Sequence, residues 1–161
     1  MTKSKIKRLP ALLNTIGELR KKNKKIVFTN GCFDIIHYGH VQYLTEARKQ
    51  GDVLIVALNS DRSVKKLKGD SRPIIPQKER AGVVAALANV DFVVIFDELT
   101  PLKLIKKIKP DILVKGADWS QGAIAGSDTV EKYGGKVIRA RFLKGISTTS
   151  IIEKIAQKIR E

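Results

Sequence analysis

Short apolar runs alternate with helix-like segments along nearly the whole chain, and this alternation restricts the fold more than any other feature. Residues 53–58 are apolar at odd and even positions alike, which is typical of a strand buried on both faces. Further strands are predicted at residues 27–29, 91–96, 111–114 and 136–141. Strands separated by helices predict an α/β fold, here a Rossmann-like open parallel sheet of five strands with helices on both faces.

The segments between the strands carry the periodicity and the start and stop signals of helices. Helices are predicted at residues 10–22, 41–50, 77–88, 101–109, 127–133 and 148–160. Residues 65–76 contain a glycine, two prolines and several basic side chains, and therefore predict a charged loop. The chain divides into a basic helical extension at residues 1–24 and one main domain at residues 25–161.

The chain is strongly basic, with 31 lysines and arginines against 16 acidic residues and a net charge of +15. An apolar content of 43% is typical of a globular protein. A nucleic-acid interface usually adds exposed aromatic residues, and aromatic residues make up only 6% here. Nucleic acid is therefore an unlikely partner, and a solvated lysine surface or an anionic small substrate explains the charge better.

The sequence also predicts a location. Its apolar runs are too short for a membrane span, and the basic residues 1–8 lead into no apolar signal segment, so neither a membrane anchor nor a secretory signal is expected. Cys32 is the single cysteine, which excludes an internal disulfide and fits a reducing cytoplasm.

The unusual residues of the chain follow the predicted strands. In open α/β sheets ligands bind at the carboxyl ends of the strands, near the point where the strand order reverses. The segments there are residues 30–40, 59–76, 97–101, 115–120 and 142–149. A binding site is therefore predicted at this end of the sheet. A Gly-x-Gly-x-x-Gly segment after the first strand and a Walker A lysine motif are both missing, which disfavours dinucleotide and P-loop sites.

Both histidines of the chain fall in residues 37–40, where a strand turns into a helix. His37 and His40 lie one helical turn apart, and Gly39 between them lets a ligand approach closely. Imidazoles and backbone N–H groups at such a corner suit phosphate oxygens. Two alternatives stay open: a zinc-binding pair, for which further ligands are scarce, and a hydrogen-bonded structural pair. We predict no metal ligated by the protein.

A second candidate is the turn after the first strand, formed by Asn30, Gly31, Cys32 and Phe33. Its main-chain N–H groups can serve phosphate oxygens or a base edge, although an ordinary loop would look the same. Cys32 could act as a thiol nucleophile, but its apolar neighbours favour a packed thiol.

A basic cluster follows in the middle of the chain and includes Lys65, Lys66, Lys68, Arg72 and Arg80. These side chains could cover a polyphosphate as a mobile flap, or form a solvated surface loop.

Two later segments complete the candidates. Trp119, the only tryptophan, follows a predicted strand and could stack on a substrate ring or pack at the rim of the core. Residues 145–150 open the last predicted helix, where Ser147 or Thr148 suits an N-cap and the same groups can bind an anion.

Taken together, the His-x-Gly-His segment at 37–40 and the Ile-Ser-x-Thr segment at 146–149 resemble the cytidylyltransferase-like nucleotidyltransferase superfamily. Within this superfamily, the chain most resembles the heptose 1-phosphate adenylyltransferase domain of bifunctional heptose kinase–adenylyltransferases. It rests on motifs at residues 29–34, 59–61, 67–73, 113–118, 124–127 and 147–149.

This resemblance implies a nucleotidyltransferase domain at residues 25–161 that transfers AMP from ATP to D-glycero-β-D-manno-heptose 1-phosphate. The products are ADP-heptose, for lipopolysaccharide core assembly, and pyrophosphate. The resemblance further implies Mg²⁺ bridging the phosphates, a homodimer, and an adenylyltransferase working beside a separate kinase.

The resemblance also assigns roles to residues. It implies catalytic roles for His37, His40, Lys68 and Arg72. It implies nucleotide or substrate contacts for Thr29, Asn30, Gly31, Phe33, Gly39, Arg80, Lys115, Gly116, Asp118, Trp119, Ser147, Thr148 and Thr149.

Other functions stay open. Glycerol 3-phosphate cytidylyltransferases share these motifs but carry an arginine where Phe142 stands here, which disfavours cytidylyl transfer. An FAD synthetase of the same fold is a further alternative. A basic nucleic-acid-binding module is the alternative from a different class.

Overall fold

The computed structural model describes residues 2–116, 124–140 and 145–161. Strands and helices alternate through most of these ranges, as the sequence predicts. In chain order the elements are α1 (Thr2–Lys5), α2 (Leu9–Lys21), β1 (Ile26–Gly31), α3 (Tyr38–Arg48), β2 (Val53–Asn59), α4 (Asp61–Lys68), α5 (Gln77–Ala86), β3 (Phe92–Phe96), α6 (Leu102–Ile108), β4 (Ile112–Gly116), α7 (Ser127–Lys132), β5 (Lys136–Ala140) and α8 (Thr148–Arg160).

The described strands form one five-stranded sheet in the order β3-β2-β1-β4-β5, and every pair is parallel. The chain winds outward from β1 through β2 to β3 and then crosses back to place β4 on the other side of β1. The predicted Rossmann-like open parallel sheet is therefore confirmed. The strand order reverses between β1 and β4, which is the point where such sheets bind ligands.

The two faces of the sheet carry separate hydrophobic cores. Along β2, Leu54, Val56 and Leu58 face one core, and the alternate residues face the other. The first core also contains residues of α3 and α5, namely Tyr43, Leu44, Ala47, Ala81, Val84 and Ala85. The second contains residues of α2, α6 and α7, namely Leu12, Ile16, Leu104, Ile105, Ile108 and Val130. Helices thus cover both faces, as predicted from the continuous apolar run.

The N-terminal residues belong to the same packed body. Leu12 is 0% exposed and Ile16 is 1% exposed in the second core. The backbone N–H of Lys7 donates to Val93 O at 2.9 Å, so the segment before α2 also pairs with the edge strand β3. The predicted boundary after residue 24 stays a prediction, but the packing here is continuous across it.

Residues 65–76 are only partly the loop that the sequence predicts. Helix α4 runs through Lys68, with Ser60 as its N-cap and its hydroxyl accepting a hydrogen bond from Ser63 N. Val64 is fully buried, which gives this charged helix an anchor in the core. The prediction missed the helix because glycine and prolines further along outweighed the cap signal in a short, lysine-rich segment.

Two boundaries matter for the site. Helix α3 begins at Tyr38 and not at residue 41, so that Gly39 and His40 lie in its first turn. Strand β4 extends through Lys115 and Gly116, which the sequence assigned to a loop. Both differences bring predicted site residues onto regular elements.

Much of the positive charge lies where helices end. Basic residues occupy the last turn of several described helices, including Arg20 and Lys21 in α2, Arg48 in α3, and Lys106 and Lys107 in α6. A cation at a helix C-terminus is favoured by the helix dipole, so part of the excess charge has a structural explanation. None of the helices in the described part of the chain has both the length and the apolar character needed to cross a bilayer.

We predict that Leu12→Ala lowers the free energy of unfolding by about 2–5 kcal/mol, because it leaves a cavity in the second core. Urea denaturation measures the change. Ile159→Ala is the control, since Ile159 is 79% exposed and its truncation should change stability by less than about 0.5 kcal/mol. Equal effects of the two substitutions would mean that the N-terminal helix does not contribute to the core.

Candidate active site

A cavity of about 280 Å³ opens at the carboxyl ends of β1 and β4, where the strand order reverses. Its walls come from the loop after β1, the ends of α4 and β4, and the start of α8. The lining residues are Asn30, Gly31, Cys32, Phe33, Asp34, His40, Tyr43, Lys68, Arg72, Lys115, Gly116, Ser147, Thr148 and Thr149. Residues from four separate parts of the sequence therefore meet at one place.

The two histidines form a stacked pair at the start of α3. Their ring centroids are 3.8 Å apart with an interplanar angle of 27°. His37 is the N-cap residue of the helix, and a Cβ at Gly39 would lie 3.1 Å from two atoms of its ring. Glycine at position 39 leaves room for the His37 ring, which a larger residue would push away by a few tenths of an ångström.

Phe33 shapes the other side of this corner. Its ring centroid is 5.2 Å from that of His40, and its backbone has φ of 46°, a left-handed conformation that is uncommon for a bulky side chain. A Cβ at Gly31 would lie 2.9 Å from the Phe33 ring, so glycine at position 31 makes room for it. The loop is thus held in one shape by its aromatic ring and its glycine.

Three buried side-chain atoms in the described part of the chain have no hydrogen-bond partner, and all three lie at this corner. They are Asn30 Oδ1, His37 Nδ1 and His40 Nδ1. Buried polar atoms are nearly always paired in folded proteins, so unpaired ones mark a place where a ligand can supply the partner. The hydrogen-bonded structural pair of histidines, considered from the sequence, does not describe this arrangement.

Burial controls the charge of the histidines. Burial, reinforced by the neighbouring His37, lowers the pKa of His40 from 6.5 to about 4. Burial also lowers the pKa of His37. Both rings are therefore neutral near pH 7, and each offers one N–H donor. A bound anion would favour the protonated rings, so the pair can gain positive charge as negative charge develops nearby.

Basic side chains also line the cavity. Lys68, at the end of α4, and Arg72, in the loop that follows, both line the cavity. Lys115 lines it from the end of β4 and is only 8% exposed. Three cations and the neutral His40 ring make the cavity suitable for a polyanion. His37 and Gly39 are not part of the wall, and His37 reaches the site through its stacking on His40.

Asp34 holds Arg72 in this wall, a role that the sequence analysis did not assign. The Asp34 side chain is 0% exposed and accepts hydrogen bonds from Arg72 Nε and from the backbone N–H groups of Ile74 and Ile75. Burial raises the pKa of Asp34, but the Ile75 and Ile74 N–H groups and Arg72 outweigh it and keep the pKa below its ordinary value. The ionised carboxylate fixes the loop, and Arg72 is held at the cavity.

Arg80 is not part of the mobile basic flap that was one prediction for this segment. Its side chain is buried, and its guanidinium donates to Ile75 O at 2.8 Å, to Cys32 O, and to Asp61 Oδ1 at 2.7 Å. Arg80 therefore joins the loop after β1 to the loop after α4, and it is absent from the cavity wall. An arginine can be buried where acceptors from distant parts of the chain surround its guanidinium. The sequence alone does not show that such acceptors come together.

Thr29 also lies beneath the cavity and not in its wall. It is 0% exposed, and its hydroxyl lies 2.6 Å from Tyr43 Oη. Direct ligand contact by the Thr29 side chain, implied by the family resemblance, is therefore not what the structure shows.

The start of α8 forms the last part of the wall. Ser147 caps the helix, and its hydroxyl accepts from Ser150 N at 3.0 Å in a capping box. The Ser147 side chain is thus engaged in the cap, while Thr148 and Thr149 line the cavity beside it. Asp118 and Trp119, two of the predicted contact residues, lie outside the described residues, as does Phe142.

Cys32 lines the cavity but is a poor nucleophile. Burial raises the pKa of its thiol, and nearby Lys68, Arg80 and Arg72 offset this only in part. The thiol is therefore protonated near pH 7, which fits the packed thiol expected from the sequence. Within residues 2–116, 124–140 and 145–161, no three His, Cys, Asp or Glu side chains lie close enough together to hold a metal ion.

The neutral histidines predict how stability depends on pH. His40 has an ordinary pKa of 6.5 when unfolded and about 4 when folded, so between these values the unfolded state binds more protons. The free energy of unfolding should therefore fall as pH drops from about 6.5 to 4. In His40→Gln the fall from pH 7 to pH 5 should be smaller by on the order of 1 kcal/mol, allowing for the partial exposure of the ring.

Urea denaturation at pH 7, 6 and 5 measures this difference. Parallel curves for the two proteins would show that His40 is not held neutral by the fold. The same titration with inorganic triphosphate present should flatten the wild-type curve, because a bound anion raises the pKa of both rings.

Comparisons with known proteins agree with this geometry. The sequence pattern of the family described as cytidylyltransferase-like matches residues 28–154. The bifunctional protein HldE of Geobacter metallireducens is 52% identical to the chain over 98% of its length, and that of Campylobacter jejuni subsp. doylei is 59% identical over 87%. The chain spans 32% and 30% of these two proteins, about a third of their length.

Solved structures show the same fold. The lipopolysaccharide core biosynthesis protein from Thermoplasma volcanium has a TM-score of 0.61 and 29% identity, over 76% of this chain and 99% of that one. A pantoate–β-alanine ligase from Francisella tularensis, in complex with an ATP analogue and β-alanine, has a TM-score of 0.57 over 92% of this chain and 77% of that one. At 18% identity the second structure supports the fold alone.

Proposed function

Because the chain belongs to the cytidylyltransferase-like family and is a nucleotidyltransferase, we propose that it transfers AMP from ATP to D-glycero-β-D-manno-heptose 1-phosphate. The observation that carries the proposal is the cavity lined by the neutral His40 imidazole and by Lys68, Arg72 and Lys115, with the neutral His37 ring stacked on His40. Relatives named bifunctional protein HldE, and a structure described as a lipopolysaccharide core biosynthesis protein, support a heptose acceptor. The products are ADP-heptose and pyrophosphate.

The reaction needs little covalent participation by the protein. A sugar phosphate is largely ionised near neutral pH because its second pKa is about 6, so its oxygen attacks without a general base. The new bond joins this oxygen to the α-phosphorus of ATP. The bond from the α-phosphorus to the bridging oxygen breaks, and pyrophosphate leaves with the electron pair. Catalysis is therefore positioning and charge stabilisation.

The proposed roles follow from where the side chains lie. His37 and His40 donate to oxygens of the α- and β-phosphates, where negative charge develops. Lys68 and Arg72 bind the triphosphate tail or the sugar phosphate as fixed positive charges. Seven further residues of the cavity wall hold the nucleotide and its phosphates: Lys115, Gly116, Thr148, Thr149, Asn30, Gly31 and Phe33. Asp118 and Trp119 keep their proposed contact with nucleotide or sugar.

Mg²⁺ enters this proposal as part of the magnesium–ATP substrate. Among the described residues of the cavity wall, Asp34 is the one carboxylate, and it already accepts hydrogen bonds from Arg72, Ile74 and Ile75. The described part of the wall thus offers no free carboxylate set, which fits an ion held mainly by phosphate oxygens. Homodimerisation and a cytoplasmic location are likewise part of the proposal.

A panel of the four nucleoside triphosphates against phosphorylated acceptors, read by pyrophosphate release, tests the function. We expect turnover with ATP and heptose 1-phosphate. Turnover with CTP and glycerol 3-phosphate alone would replace the proposal by a cytidylyltransferase, and ATP with FMN by an FAD synthetase. No release with any pair, combined with sub-micromolar DNA or RNA binding that persists at physiological salt, would favour the nucleic-acid module.

We predict that His37→Ala and His40→Ala each lower kcat at least about a hundredfold, because each removes a donor to the developing charge. Both proteins should fold, as circular dichroism and thermal unfolding can show. Steady-state kinetics with ATP and the acceptor measures the loss. Variants that are folded and fully active would place the chemistry away from this corner.

A further inference from the structure

The sheet splits beside the cavity. Strand β1 pairs with β2 at six positions but with β4 at two, Val27 with Ile112 and Phe28 with Leu113. The same register would next pair Thr29 with Val114. Both strands continue past this point, to Gly31 and Gly116, without pairing to each other. The cavity opens between the two strand ends.

A tyrosine hydroxyl lies between Thr29 and Val114, the two residues that the register would pair next. Tyr43 of α3 is 5% exposed, and its hydroxyl donates to Val114 O at 3.1 Å and lies 2.6 Å from Thr29 Oγ1. A tyrosine hydroxyl has one proton, which Val114 receives, so Thr29 is the donor to Tyr43. The phenol therefore links the two strands through side-chain hydrogen bonds where the backbone ladder ends.

The same side chain connects the sheet to the histidines. Tyr43 and His40 lie three residues apart on α3, hence on the same helix face, and both line the cavity. The carbonyl that Tyr43 contacts belongs to the residue before Lys115. One hydroxyl thus ties together the helix that carries His40, the end of β1 and the end of β4.

We propose that Tyr43 is a positioning residue for the adenylyl transfer proposed above, on which this inference rests. Its hydroxyl sets the separation of β1 and β4 and fixes His40 relative to the cavity. Without the hydroxyl, Val114 O and the Thr29 hydroxyl would each lose the hydrogen bond that they make to Tyr43. The strands would then shift together or admit water, and either change moves His40. A displacement of about 1 Å at such a group can cost about a hundredfold in rate.

The test compares two tyrosine hydroxyls. In Tyr43→Phe we expect kcat to fall at least about tenfold, with KM for ATP changed less than about threefold, because His40 acts most strongly on the charge that develops during transfer. Tyr133→Phe is the matched control: its hydroxyl also donates to a carbonyl, Pro110 O at 3.0 Å, but outside the cavity wall. We expect kcat and KM of Tyr133→Phe to equal those of the wild type.

A double substitution tests whether Tyr43 acts through Thr29. Thr29→Val keeps the shape of the side chain and removes its hydroxyl, so it should lower kcat as Tyr43→Phe does. The double variant should lose about as much as the more affected single variant, since both remove the same link. Losses that multiply, or a Tyr43→Phe enzyme with the kinetics of the control, would overturn the proposal.

A readout without turnover separates this proposal from the proposed function. The chain has 2 histidines, so ¹⁵N NMR resolves their imidazole nitrogens. Tyr43→Phe should shift the His40 resonances, and Tyr133→Phe should leave them in place. Unchanged His40 resonances in Tyr43→Phe overturn the positioning role even if the enzyme is active. Failure of every substrate pair in the wild type would overturn the proposed function alone.

Discussion

Burial of the central strands on both faces is the constraint from which the rest of the structure follows. Strand β2 has no polar face to expose, so helices must cover the sheet on both sides. To fill both sides, the chain winds outward in one direction and then returns to build in the other. Its return leaves a split between β1 and β4. The cavity is thus a consequence of how the hydrophobic cores are closed, and the polar residues that line it occupy a place the fold provides.

Two small sets of basic residues differ in what they contact. Arg80 is buried and bonded to Cys32 O, Ile75 O and Asp61, and Arg20 donates to the last carbonyls of α6. These charges hold the structure together. Lys68 and Lys115 instead reach the cavity, with Arg72 held there by Asp34. Part of the net charge thus has a structural role, and another part belongs to the cavity.

Sequence reasoning predicted several of the residues that line the cavity because its strongest signals were local. The apolar runs fixed the strands, and residues after them supplied the His37–His40 corner and the start of α8. It misjudged residues whose roles depend on partners distant along the chain. In the sequence, Arg80 cannot be distinguished from an exposed basic residue on a helix. Nor does the sequence show that the backbone N–H groups of Ile74 and Ile75 donate to Asp34. Tyr43 carries the periodicity of a core residue, and only the place where β1 and β4 separate shows what its hydroxyl does.

The neutral state of the histidines explains how one corner can serve both folding and chemistry. Two charged imidazoles 3.8 Å apart would repel each other and lose hydration, so the ligand-free fold favours neutral rings. A polyphosphate reverses this preference, because its charge compensates a proton on either ring. Nearby negative charge therefore opposes the burial that lowers the pKa of His40. A corner built this way responds to negative charge, which is what a nucleotidyltransferase needs as charge shifts onto the leaving pyrophosphate.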